Sequence, residues 1–148
     1  MEKILAENRR AKFDYEILDT LIAGAELFGF EVKSVKAGRM SLVGSYVIIR
    51  GDEAWLVNAQ IPPYQQNNTP ENYEPTRPRR LLLRHEEILE LAGKTKNKGI
   101  VLVPLTAFLH KNFIKIKLGI CRSKKSHDKR EALKKKDIVR ARQRGIEE

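Results

Sequence analysis

Residues 100–121 read IVLVPLTAFLHKNFIKIKLGIC, and this stretch decides the fold. An apolar run over 100–109 is followed by a polar break at 110–112 and then by strict alternation over 113–121. Period-two alternation is typical of a strand that buries one face. We therefore predict a β-hairpin with Lys115 and Lys117 outward and four apolar side chains inward: Ile114, Ile116, Leu118 and Ile120. Pro104 cannot donate to a ladder, so it should mark an edge or a bulge.

Further strands precede this hairpin. Residues 45–50 and 53–57 are rich in β-branched and aromatic side chains, and Gly51-Asp52 between them favours a tight turn. Residues 13–18 alternate apolar and polar side chains, which predicts one more half-buried strand.

Two short helices are also predicted. In 26–38, the residues Phe28, Val32 and Val35 fall on one helical face, and Gly38 is a natural C-cap. On this pattern Glu31, Lys33 and Lys36 face water. In 86–91, two glutamates suit a first helical turn ahead of an apolar stripe, and Gly93 is expected to end the helix.

The elements come in the order strand, helix, hairpin, long proline-rich loop (60–80), helix, hairpin and tail. With about six antiparallel strands and only two to three short helices, the apolar face of the sheet has too few helices to cover it. Closure of the sheet into a barrel buries that face and leaves no unpaired edge strand. We predict a mainly β fold for residues 1–121, an OB-fold-like antiparallel barrel with flanking helices. A two-layer sandwich is the alternative.

The C-terminal segment 122–148 differs in composition. It holds eleven Lys/Arg against five Asp/Glu, so it carries +6 of the chain's net +10. Its four large apolar residues cannot offset the ordering entropy of the segment, about 1–2 kcal/mol per residue. We expect this basic tail to be disordered when free and ordered by a polyanion. A capping-box pattern at Asp128–Glu131 predicts a latent helix from about 128 to 142.

Composition excludes several functional classes. One cysteine, Cys121, allows no intramolecular disulfide and no cysteine-based metal site, and no apolar run is long enough for a membrane span. The three histidines stand in separate elements without metal-ligand spacing. A pI near 9.8 with clustered cations favours nucleic acid as the partner. We expect a cytosolic, non-enzymatic binding protein without a metal or cofactor.

Several motifs resemble one known family, and they run over nearly the whole chain. They are Glu7–Ala11, Ala23-Gly24, Gly29–Gly38, Ser45-Tyr46, Ile61–Tyr64, Arg77–Leu83 and Lys124–Arg130. In order and spacing they are similar to the SsrA-binding proteins (small protein B), the partners of transfer-messenger RNA in bacteria. The resemblance implies an OB-fold body that binds the tRNA-like domain of this RNA. It also implies a tail that becomes helical in the decoding centre and empty message channel of the small subunit of a stalled ribosome.

The resemblance also implies sites. RNA contacts of the body are expected at Asn8, Arg9, Lys33, Lys36, Arg77, Arg79, Arg80, Leu82, Lys124 and Lys125. Decoding-centre contacts are expected at His127, Asp128, Lys129 and Arg130. The elongation factor that carries aminoacyl-tRNA is expected to act alongside. The chain departs from the family pattern at Ile22, Arg84 and Ser123. Ser123 replaces a glycine, whose backbone angles serine does not adopt freely.

Two other functions fit the composition. One is a structural ribosomal protein whose basic extension threads ribosomal RNA. The other, less favoured, is a hydrolase that uses His85 or His110.

Overall fold

The computed structural model describes residues 2–65, 67 and 69–124. This part of the chain forms seven strands and three helices. They are β1 (Lys3–Glu7), α1 (Arg9–Asp14), β2 (Tyr15–Ala25), α2 (Gly29–Lys36), β3 (Tyr46–Arg50), β4 (Glu53–Val57), β5 (Arg79–Leu82), α3 (His85–Thr95), β6 (Ile100–His110) and β7 (Phe113–Ser123).

All strand pairs are antiparallel and belong to one sheet. The order is β1-β6-β3-β4-β5-β2-β7, and β7 also pairs with β6. Strands β2 to β7 therefore close into a ring. Strand β1 lies outside the ring and pairs with the same edge of β6 as β3 does, nearer the C-terminal end of β6. This arrangement is consistent with the predicted OB-like barrel, and the mainly β class is confirmed.

The β6–β7 hairpin confirms the prediction from residues 100–121. Ile114, Ile116, Leu118 and Ile120 are all at most 5% exposed and lie in the main core. The ladder breaks between Pro104 and Thr106, as a bulge at the proline requires. The turn is tighter than predicted, because His110 pairs with Phe113. Only Lys111 and Asn112 are left in the turn, and both have positive φ.

The amino-terminal region differs from the prediction. Phe13 and Asp14 end α1, and the strand begins at Tyr15 and runs on to Ala25. The Asn8 side chain accepts a hydrogen bond from the Ala11 N–H and so caps the six-residue helix α1. This cap outweighs the alternation of apolar and polar residues that had predicted a strand from residue 13. Strand β1 was not predicted, because KILAE carries two charges in five residues and has little of the pattern of a buried strand.

The two other helices are present with altered bounds. Helix α3 buries Ile88 and Leu91 as predicted but continues past Gly93 to Thr95. In α2, Val35 is buried, whereas Phe28 is the N-cap and half exposed. The prediction that Glu31 faces water is wrong, since its side chain is fully buried.

A second, smaller core lies under α1. Ala11 packs there with Val103, Leu105 and Cys121. Gly119 has no room for a side chain, because a Cβ would stand 2.8 Å from the Cys121 sulfur and 3.1 Å from Leu105 Cδ1. Within the described ranges, no helix is long and apolar enough to cross a membrane.

Candidate nucleic-acid interface

The most buried polar cluster of the described residues is centred on Glu31, in the first turn of α2. Arg79 donates to Glu31 Oε2 from Nε at 3.0 Å and from Nη2 at 2.6 Å. Arg77 donates to Oε2 from Nε at 3.2 Å and to Oε1 from Nη2. The Phe28 N–H donates to Oε1 at 2.8 Å. One carboxylate thus joins the start of α2 to the chain entering β5.

The cluster also fixes the long loop. Arg79 Nη1 donates to the Ala59 carbonyl at 2.6 Å, and its Nη2 to the Pro75 carbonyl at 2.9 Å. Tyr73 Oη lies 2.9 Å from Glu31 Oε2 and 2.8 Å from the Ile61 carbonyl oxygen. These bonds hold the two ends of the proline-rich segment close to Glu31 of α2.

Aromatic rings cover the cluster on its outer side. The Arg77 guanidinium lies over the Phe28 ring, 3.9 Å from Cζ to the ring centroid. Phe30 meets Tyr73 edge to face at 4.8 Å. A guanidinium stacked on an aromatic face gains cation–π attraction while its N–H groups remain free to bond in the ring-parallel plane. Arg77 is therefore held at the surface in a single orientation.

The electrostatics follow from this geometry. Burial alone would raise the pKa of Glu31, but the hydrogen bonds from Arg77, the Phe28 N–H and Arg79 outweigh burial and hold its pKa below the ordinary value. Burial first, and then the hydrogen bond to the Glu31 carboxylate, raise the pKa of Tyr73 to about 12. At neutral pH the cluster therefore consists of a carboxylate, two guanidinium groups and a neutral phenol.

Predicted RNA contacts on α2 and β5 fall into two groups. Lys33 and Lys36 are exposed on α2 and Leu82 is exposed on β5, so all three can meet a partner. Arg80 is also exposed, although it pairs with Glu53 at 3.0 Å. Arg79 is 0% exposed and bonded on all sides. The prediction that Arg79 contacts RNA directly conflicts with this burial, because its guanidinium is already bonded to Glu31, Ala59 and Pro75.

The contacts predicted near the amino terminus are likewise divided. Arg9 is exposed on α1, next to Glu7 at 3.5 Å. Asn8 is only 4% exposed, because it caps α1 and donates to the Pro104 carbonyl at 2.9 Å. Its direct contact with RNA conflicts with that burial. Lys124 continues the ladder beyond β7, with its N–H bonded to the Asp14 carbonyl and Nζ 2.9 Å from the Lys12 carbonyl. The base of the tail therefore lies beside Lys12 and Asp14, at the C-terminal end of α1.

Lys125, His127, Asp128, Lys129 and Arg130 lie outside the described residues. Among the described ones, sequence reasoning missed Phe28 as a surface group, since helical periodicity assigned it to the core. It also missed the stack of Arg39 on Tyr64, with 5.4 Å between Cζ and the ring centroid. The motif Ile61–Tyr64 held a signal for that contact, because aromatic rings and arginine guanidinium planes are the groups on which unstacked RNA bases stack.

No group of three or more acidic, histidine or cysteine side chains within the described ranges is placed to hold a metal ion. His85 opens α3 and is exposed, while His110 lies at the β6–β7 turn, 3.6 Å from Glu2. The two histidines stand in different elements, and within the described part of the chain neither has a nucleophile or second base at hydrogen-bond distance.

Fold and site define a small closed β-sheet protein with a cation-rich surface and a strongly basic C-terminal segment. The family model described as SmpB protein matches residues 5–148, and the chain belongs to this family.

Named relatives agree with that assignment. An SsrA-binding protein of Carboxydothermus hydrogenoformans is 49% identical over 95% of this chain and 93% of its own length. One from Gloeothece citriformis is 45% identical, covering 97% of this chain and 93% of its own. Among solved structures, a chain from "tmRNA-SmpB: a journey to the center of the bacterial ribosome" superposes with a TM-score of 0.70 at 42% identity. That match covers 86% of this chain and 92% of the solved one.

Proposed function

We propose that this chain is an RNA-binding adaptor of trans-translation. It binds the tRNA-like domain of transfer-messenger RNA and delivers that RNA to stalled ribosomes, where the nascent chain is tagged and the ribosome is released. The observation that carries the proposal is the family match over residues 5–148, which includes both the body and the basic tail.

The body supplies the RNA-binding surface. Lys33 and Lys36 are exposed on α2, and Arg77 belongs to the Glu31 cluster that ties α2 to the chain entering β5, so their spacing is set before RNA arrives. Preorganised cations lose less side-chain entropy on binding than free ones do. Arg79 and Asn8 support this surface from inside, and Arg9, Arg80, Leu82 and Lys124 extend it.

The tail supplies the ribosome contact. In this proposal Lys125 continues the RNA surface of the body, and His127, Asp128, Lys129 and Arg130 act in the decoding centre of the small subunit. Residues 128–142 become helical along the empty message channel. The elongation factor that carries aminoacyl-tRNA acts alongside, and the work takes place in the cytoplasm. The adaptor performs no catalysis of its own.

Separation of the two activities tests the proposal. Truncation after Ser126 should leave binding of the tRNA-like RNA fragment nearly intact but abolish tagging on stalled ribosomes. The double change Lys33→Gln and Lys36→Gln should weaken RNA binding and lower the slope of log K against log salt by about 1.4, at ~0.7 per lost phosphate contact. Filter binding at several salt concentrations and a reconstituted tagging reaction measure both effects.

Matched lysines serve as the control. Lys96 and Lys98 are exposed in the connection between α3 and β6, and changing both to Gln removes the same charge from another surface. These variants should bind the RNA like the wild type. Equal loss of RNA binding and tagging on truncation would contradict the division between body and tail. Co-purification at one copy with every ribosome after a high-salt wash would instead support a structural ribosomal protein.

A further inference from the structure

Strand β1 has a free edge. Each other strand of the described residues pairs with a strand on both sides, because β2 to β7 close into a ring, whereas β1 pairs with β6 alone. No backbone hydrogen bond among the described residues joins Lys3–Glu7 to any element other than β6. A row of unpaired N–H and C=O groups is a template for another strand, and proteins commonly protect such edges with charges.

The charges of β1 stand at its two ends. Lys3 begins the strand and Glu7 ends it, both are exposed, and the three residues between them are apolar. Glu7 has the Arg9 guanidinium at 3.5 Å, but the Arg9 side chain is 90% accessible to solvent. An ion pair this exposed contributes little and is easily exchanged for another. A strand that is positive at its start and negative at its end is complementary to an antiparallel copy of itself.

One register satisfies both ends of the strand. When two copies of β1 run antiparallel about Leu5, Lys3 of each copy lies opposite Glu7 of the other. Cross-strand neighbours of opposite charge attract each other, and like charges directly opposite are destabilising. A slip by one residue removes both charge pairs. Parallel pairing in register would set Lys3 against Lys3 and Glu7 against Glu7, so the charges select the antiparallel arrangement.

The irregularity of β1 is compatible with this register. The ladder between β1 and β6 shifts between Ile4 and Ala6, so Leu5 is the extra residue of a bulge. In the antiparallel pair Leu5 lies on the two-fold axis, and the residues on either side of the bulge are the ones that pair. Ile4 is 57% exposed, so a neighbouring strand that covers part of it adds apolar burial. Because the strand has only five residues, the interface is small and the association is weak.

We propose that the free edge of β1 pairs with β1 of a second copy of this chain and forms a weak, two-fold symmetric dimer. The interface uses the same strand of both copies, so it closes on itself and the association stops at two chains. The charges that keep the edge from pairing with unrelated strands are the ones that make it accept its own copy. This inference goes beyond the proposed function and does not depend on it.

Sedimentation equilibrium of the full chain, from micromolar to millimolar concentration, tests the dimer. The mean mass should rise from the 17.0 kDa of the monomer towards that of two chains. Lys3→Glu and Glu7→Lys should each raise the dissociation constant about tenfold or more, since two cross-strand pairs change from attraction to repulsion. An equimolar mixture of the two variants should restore the wild-type dissociation constant, because one chain then has two negative strand ends and the other has two positive ones.

Lys98→Glu and Glu71→Lys are the controls, because they make the same changes of charge at exposed positions outside β1, and each should associate like the wild type. Thermal unfolding of every variant separates loss of the dimer from loss of the fold. The dimer proposal is overturned if the wild type stays monomeric at millimolar concentration, or if the mixture associates no better than the single variants. Dimers that persist in both single variants would place the interface elsewhere and overturn it as well.

Discussion

Replacement of Glu31 by glutamine should lower the free energy of unfolding of the body more than replacement of any surface acid does. Glu31 and Arg79 are both 0% exposed, and Arg79 donates to the carboxylate from two nitrogens. The change keeps the shape but leaves a buried guanidinium without its counter-charge. Breaking a buried pair in this way costs about 3–5 kcal/mol. For a domain of this size, 3 kcal/mol corresponds to roughly 10 °C in Tm.

A second glutamate provides a control with matched local geometry. Glu87 occupies the same third position of α3 and accepts from the Arg84 N–H at 2.9 Å, as Glu31 accepts from the Phe28 N–H. Its partner guanidinium is exposed, on a side chain that is 76% accessible. Glu87→Gln should therefore cost about 1 kcal/mol or less.

Urea titrations of both variants, monitored by the single tryptophan Trp55, measure the difference. RNA affinity at a temperature where both are folded gives a second readout, since loss of the cluster frees Arg77 from α2. The reasoning is refuted if Glu31→Gln loses no more stability than Glu87→Gln, or if it lies within about 1 kcal/mol of the wild type.

Three further predictions concern pH, thiol chemistry and packing. Because the pKa of Glu31 is lowered in the folded state, its contribution to stability is complete above the ordinary carboxyl pKa range and is lost as the pH falls below that range. The free energy of unfolding of Glu31→Gln should therefore fall less steeply with decreasing pH than that of the wild type. Burial raises the pKa of Cys121 to about 11, so a thiol reagent at pH 8 should label the native chain far more slowly than the urea-unfolded chain, and equal rates would contradict burial. Gly119→Ala should cost about 1–3 kcal/mol in urea titrations through overpacking against Leu105, whereas Gly29→Ala, with open space around its Cα, should stay close to the wild type.

The hairpins could be predicted because their information is local. Alternation over 113–121 and the Gly51-Asp52 turn specify register and face within a few residues. Strand β1 and helix α1 could not be predicted, because each is only five or six residues long and depends on partners that are distant in the sequence. Asn8, for instance, caps α1 while donating to Pro104, almost a hundred residues away.

The Glu31 cluster shows the same limit at the site. Helical periodicity placed the glutamate in water, because local pattern carries no sign of two arginines more than forty residues later in the chain. Both arginines belong to the basic motif Arg77–Leu83, from which RNA contact at the surface was predicted for each of them. One remains at the surface and the other is interior, and only the three-dimensional pairing decides which.

The anchoring of Lys124 has a mechanical consequence. Its N–H extends the ladder at the end of β7, a strand hydrogen-bonded to β2 on one edge and to β6 on the other. A pull applied along the axis of β7 would load both ladders in shear, so many bonds would share the force at once. An edge strand pulled sideways would open one bond at a time. Tension arising at the tail can therefore reach the whole body without first peeling it apart.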